Sequence, residues 1–150
     1  TGPLLVKLVR GVDRISRFQG LVQWEVAQRL NARPGSSSFR SISVLVQWAF
    51  EVELRDRVPA SAFTPEPDVD SGWIDLRPRD PEEPVEPFRN FLETCFQQPR
   101  KTLLNNLSGE SGDKELWRNW MDQRGWDARR RPHSLSVDEY REVFREWNRR

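Results

Sequence analysis

Between residues 80 and 87 the hydrophobic period of this chain changes, and nothing else in the sequence limits its fold so strongly. Before that point, "FEVELRDRV" sets Phe50, Val52 and Leu54 against Glu51, Glu53 and Arg55, the period of two of a half-buried strand. "SGWIDLRPR" alternates in the same way, so the two stretches predict an antiparallel pair at the edge of a sheet. After the acidic, proline-rich "DPEEPVE" the period becomes helical, and Phe88, Phe91, Leu92, Cys95 and Phe96 fall on one stripe. A face built for one period cannot be buried by the other. The chain therefore divides into an α/β part over 1–79, a linker over 80–87 and a small helical bundle over 88–150.

Further elements follow from local chemistry. "TGPLLVKLVR" has Pro3 in a first helical turn, then Leu4, Leu5, Leu8 and Val9 at helical spacing. Thr1, with no methionine before it, is expected to be a mid-protein cut or a processed end. A short strand is expected over Gly20–Trp24 and a helix over Glu25–Asn31, stopped by Pro34 and Gly35. The first half of "FRSISVLVQWAFEVELRDRV" is expected as helix. Within the bundle, Pro99 breaks the first helix and "RKTLLNNL" starts another. "DKELWRNWMDQRG" closes at Gly125, and "SVDEYREVFREWNRR" opens with Ser136 and Glu139 spaced as a capping box. Its buried face is Val137, Tyr140, Val143, Phe144 and Trp147.

Several chemistries are missing. His133 is the single histidine and sits in the polar turn "RRRPHSL"; Cys95 is the single cysteine and lies on an apolar stripe, as a small core residue does. No metal-ligand spacing and no glycine-rich phosphate loop is present. No apolar run approaches the ~20 residues of a membrane span, and no signal-peptide pattern opens the chain, so a soluble protein of a reducing compartment is expected. The net charge is only +1, yet Arg100, Lys101 and Arg129, Arg130 and Arg131 are clustered. Each cluster is either a set of phosphate contacts or a solvated surface.

One stretch stands apart. In "VPASAFTPEPDVDS" the prolines Pro59, Pro65 and Pro67 restrict the backbone around Phe63. Taken on its own residues, Phe63 is a core phenylalanine capping the sheet edge.

Four stretches, "LVQWEVAQRL", "SVLVQW", "VPASAFTPEPDVDS" and "PRKTLLNNL", occur in this order and resemble the ribosomal RNA adenine dimethyltransferase family. The family patterns run roughly "VQKEVAxR", "SVxxQ", "VPPxAFxPxPKVDS" and "RRKTLxNNL", and "RPHSLSVDEYREVF" is similar to the family's "RxExLSxxxFxxL" ending. The resemblance covers nearly all of residues 1–150. It implies the C-terminal part of a Rossmann-like, S-adenosylmethionine-dependent methyltransferase sheet followed by a small all-helical domain facing RNA. "TGPLLVKL" is similar to the segment just after the family's Asn-Leu-Pro-Tyr tetrapeptide, so the resemblance implies a catalytic motif and most of the cofactor site upstream of Thr1, and residues 1–150 alone are expected to be inactive.

For Phe63 the resemblance implies a different role: a ring that stacks on an adenine swung out of folded RNA, on a loop pre-set by Pro59, Pro65 and Pro67. It likewise implies phosphate contacts for Arg100, Lys101, Arg129, Arg130 and Arg131. The implied partner is ribosomal RNA of the small subunit, met by a monomer in the cytoplasm, or in a mitochondrion or plastid. Two departures keep alternatives open. Asp68 stands where the family has lysine, and Trp24 where it has a polar or basic residue, as in the antibiotic-resistance branch. A resistance-type enzyme acting on large-subunit rRNA, and a non-methylating factor in ribosome assembly or organellar transcription, are the other readings.

Overall fold

The computed structural model describes residues 2–150, apart from the side chains of residues 110 and 111, so Thr1 lies outside it. Helix α1 (Gly2–Arg10) buries Leu5 and Val9, one turn apart. Strand β1 (Phe18–Gln23) runs directly into α2 (Trp24–Leu30); α3 (Ser41–Ala49) passes into β2 (Phe50–Val58), and β3 (Ser71–Pro78) returns. The sheet order is β1-β3-β2, with both neighbouring pairs antiparallel. The expected pairing of the two alternating stretches is therefore present, with β2 outermost and β3 in the middle. Gly72, Ile74 and Leu76 face the helices, while Trp73, Asp75 and Arg77 take the opposite face.

β1 begins two residues before its expected start and ends one before its expected end. Phe18 already pairs with Leu76, and its ring fills the space beside Gly20, where a Cβ would sit 3.1 Å from Phe18 Cζ. A glycine inside the strand hides that pairing from the hydrophobic pattern. Trp24 opens α2, because its amide donates to the Asp70 carbonyl at 2.9 Å just past the last rung of the ladder.

One carboxylate ties the three strands together on the face away from the helices. Asp75 is 1% exposed and accepts from Arg17 Nε at 2.9 Å, from Arg17 Nη2 at 2.5 Å and from Arg55 Nη2 at 3.2 Å. The Arg17 hydrogen bonds, with Arg77 and Arg55 nearby, outweigh burial and hold the Asp75 carboxyl at about 2. A depressed carboxyl stabilises the fold above its unfolded value of ~3.9 and loses that contribution as pH falls through its folded value. Asp75→Asn is accordingly expected to lower the melting temperature at pH 7, and the gap to wild type should narrow from about pH 4 down to pH 2. Thermal unfolding across that range checks this; a gap independent of pH would contradict it.

The helices that follow are α4 (Val85–Cys95), α5 (Leu103–Ser111), α6 (Lys114–Gln123) and α7 (Val137–Arg149). α4 begins inside the proline-rich segment, and of its expected stripe Phe88, Phe91, Leu92 and Cys95 are buried, while Phe96, at the C-cap, is half-buried. Phe88 packs between Trp48 of α3, at 4.5 Å between ring centroids, and Phe144 of α7, at 5.2 Å. One continuous core thus runs from the sheet helices into the bundle. Glu83, in the proline-rich segment, accepts from Trp48 Nε1 at 3.0 Å and from Arg141 Nε at 2.5 Å, which fastens that segment to α3 and α7. Burial opposes ionisation of Glu83, but the Arg141 and Trp48 hydrogen bonds prevail and keep its carboxyl below the usual range. α7 carries the expected capping box: Glu139 N donates to Ser136 Oγ at 3.1 Å and Ser136 N to Glu139 Oε1 at 3.0 Å.

Candidate nucleic-acid interface

Phe63 follows a single 3-10 turn over Ala60–Ala62, entered from Pro59 at φ −67°. Its amide donates to the Ala60 carbonyl at 3.2 Å, its backbone is extended, and the Thr64–Pro65 peptide is cis. The ring is half-buried and belongs neither to the core nor to the apolar side chains packed against it. Pro65 and Pro67 are exposed on the same loop. What fastens the loop is Asp70: one carboxylate oxygen accepts from the Ala60 amide at 2.9 Å and the other from Arg57 Nε at 2.9 Å. Those hydrogen bonds pull the Asp70 carboxyl below its usual range, the Ala60 amide most of all.

A second group forms where the turn after α4 meets the turn before α7. Asn106, nearly buried on α5, donates through Nδ2 to the carbonyls of Gln98 and Thr102, both at 3.0 Å, and accepts from the Gln98 amide at 2.8 Å. The asparagine thereby shapes the turn that displays Arg100 and Lys101. The Leu103 amide donates to the Arg130 carbonyl at 2.8 Å, which sets the "ARRRP" turn beside it. Arg40, Arg100, Arg131 and His133 converge over Phe96 and Pro99 around a hollow of about 360 Å³ whose lining contains no carboxylate. Arg100, Lys101 and Arg131 are exposed and form no ion pair with the described residues. Their charge is available to an anion.

The other two arginines of the cluster behave differently. Arg130 is 24% exposed; it grips Glu139 through Nη1 at 2.7 Å and Nη2 at 2.9 Å, donates to the Ser134 carbonyl and lies over the Trp126 ring. The Glu139 hydrogen bond, opposed by burial, raises its already high pKa. Arg129 is fully extended into solvent but paired with Asp127 at 3.1 Å. The structure thus brings Arg100 and Arg131 together with Lys101 nearby, uses Arg130 as an internal brace, and half-neutralises Arg129.

The hollow does not end at Arg40. A neighbouring one of about 250 Å³ shares Arg40, Phe96 and Pro99 and adds Arg29. A third, of about 640 Å³ between α1, α2, α3 and α4, shares Arg29 and adds Lys7, Arg10 and Arg89, with Glu93 as its one lining acid. Lys7 and Arg10 on α1, Arg29 on α2 and Arg40 before α3 come from three separate elements. No local signal marks them. Asp70 and Asn106 were equally hidden as positioning residues, although both fall within the motifs quoted above.

The model of the family described as ribosomal RNA adenine dimethylase matches residues 1–148. The chain belongs to that family. It is 37% identical over 148 residues to the ribosomal RNA small subunit methyltransferase A of Bacillus cytotoxicus, covering 93% of this chain and 51% of that protein. The protein of the same name from Bacillus thuringiensis is 38% identical, with the same coverage. The chain spans about half the length of the curated relatives it matches. Among solved structures it is similar to a dimethyladenosine transferase from Plasmodium falciparum, with a TM-score of 0.80 and 22% identity over 99% of this chain and 64% of that one. The 23S rRNA methyltransferase ErmE superposes with a TM-score of 0.64 and 20% identity, over 98% of this chain and 61% of that one. At those identities the two structures speak for the fold. The expected class, the C-terminal part of a Rossmann-like methyltransferase sheet followed by helices, is the class observed.

A dimethylase of this family implies S-adenosylmethionine as methyl donor, and the residues present here do not fit a site for it. β1 passes into α2 through Gln23 and Trp24, with no glycine turn to admit a nucleotide. A Cβ at Gly72 would sit 2.6 Å from Ala27 Cβ, so that glycine serves helix packing; Gly35, Gly112 and Gly125, at positive φ, close loops and helix ends. No step of methyl transfer is assigned to these residues. Among the described residues no cluster of His, Cys, Asp and Glu approaches metal-binding geometry, and no helix is long and apolar enough to cross a membrane.

Proposed function

We propose that this chain is the RNA-holding, C-terminal portion of an S-adenosylmethionine-dependent enzyme that dimethylates adenine N6 in small-subunit ribosomal RNA during ribosome biogenesis. Residues 1–79 supply the end of the catalytic sheet with the Phe63 loop, 80–87 connect, and 88–150 face the RNA. The catalytic motif and the donor site belong to the N-terminal half of the complete protein. The observation that carries this reading is the carboxylate-free hollow with Arg40, Arg100 and Arg131 converging on it. Guanidinium groups that no carboxylate reaches neutralise phosphates and position a folded RNA without reading its sequence. Phe63, outside the core on a loop tied down by Asp70 and entered through Pro59, offers a flat face to an adenine taken out of its stack. Pro59, Pro65 and Pro67 lessen the ordering that the arriving base would otherwise impose. The names of the curated relatives favour the small-subunit branch. A monomer in the cytoplasm, or in an organelle descended from a bacterium, suits that role.

Salt dependence of RNA binding tests the reading. Arg100→Glu, Lys101→Glu and Arg131→Glu are each expected to weaken binding of a small-subunit rRNA fragment and to reduce the slope of log affinity against log salt by about one. An unchanged slope in all of these variants would assign the hollow to solvent and end the proposal.

A further inference from the structure

Trp24, Arg57 and Asp70 form a cluster at the carboxyl end of β1, next to the base of the Phe63 loop but outside the basic groove. The ladder between β2 and β3 slips between Leu54 and Arg57: Leu54 pairs with Ile74, and Arg57, rather than Asp56, pairs with Gly72. That bulge turns Arg57 onto the helix-facing side of the sheet, where its guanidinium lies over the Trp24 ring at 4.7 Å from the centroid. Behind the indole is bare backbone, since a Cβ at Gly72 would sit 3.2 Å from Trp24 Cε3. Asp70 joins the parts: its carbonyl accepts from the Trp24 amide, and its carboxylate accepts from both Arg57 and Ala60, all at 2.9 Å. The Arg57 side chain is still 57% exposed.

We propose that Arg57, backed by Trp24 and clamped by Asp70, is a second nucleobase-stacking surface, taking a base of single-stranded RNA beside the one on Phe63. The proposal rests on the RNA reading above. Asp70 already balances the charge of Arg57, so attraction for a phosphate is weakened while the exposed plane of the guanidinium remains. Bases extruded from RNA stack on such planes as they do on aromatic rings. The indole beneath steadies the cation by a cation–π contact. Because Asp70 also fixes the Ala60 amide, both stacking surfaces are anchored on one carboxylate.

The test uses the full chain and a single-stranded oligoadenylate carrying one 2-aminopurine, whose fluorescence is quenched on stacking. Arg57→Lys keeps the charge and loses the plane; Trp24→Leu removes the backing; Trp24→Phe keeps a ring and guards against misfolding, which circular dichroism monitors. Arg57→Lys and Trp24→Leu are expected to weaken binding roughly five- to a hundredfold and to relieve the quench, with the salt slope unchanged, while Trp24→Phe stays near wild type. Wild-type affinity and quench in Arg57→Lys would overturn the second surface. So would a loss accompanied by a shallower salt slope in an Arg57→Ala variant, which would make Arg57 a phosphate contact. Phe63→Ala separates the two levels: if it alone relieves the quench, only the second surface falls. If the wild-type chain does not bind the oligoadenylate at all, both readings fall.

Discussion

Phe63→Ala, in a complete enzyme carrying this segment, is expected to lower the methylation rate per folded molecule roughly ten- to a hundredfold. That is the ~1–3 kcal/mol of one stacked base. Little stability should be lost with it, because the half-buried ring lies outside the core and the loop is held by backbone and Asp70 contacts that alanine leaves in place. Phe63→Tyr keeps the flat face and should retain most activity. Rate measurements normalised to folded protein, alongside thermal unfolding, check both statements. A lowered melting temperature with an unchanged rate would make Phe63 a packing residue.

Adjacent arginines in "ARRRP" are expected to give opposite results. Arg130→Ala removes a two-point grip on Glu139, a donor to the Ser134 carbonyl and a cation over Trp126, and it leaves the capping glutamate of α7 with only the Ser136 amide. Hydrogen bonds to charged groups contribute ~1.5–3 kcal/mol, so destabilisation of that order should appear in urea unfolding. Arg131→Ala has no internal partner to lose and should leave stability within ~0.5 kcal/mol while weakening RNA binding. If the two variants were equally stable, the brace at Arg130 would carry no weight in the fold.

Much of this molecule is legible before any coordinates. The alternation in β2 and β3, the stripe on α4 and the Ser136–Glu139 box are each written within one short window, because the physics that reads them is local: side-chain period and end-capping. The motif around Phe63 is local too, and so was the likeness to the dimethylases. The windows failed where a residue's role is set across the chain. The alternation of β3 could not say that it lies between β1 and β2, since strand order depends on which edges meet.

Charge shows the limit most plainly. Five basic residues in two clusters look alike in sequence, yet Glu139 consumes Arg130, Asp127 blunts Arg129, and Arg100 and Arg131 remain free beside an Arg40 drawn from another element. A charge is a site or a brace according to whether a carboxylate reaches it, and Glu139 reaches Arg130 only because α7 folds back over that turn. The period of the chain decided what forms and what is buried. The packing of those pieces alone decided which basic groups were left without a carboxylate partner.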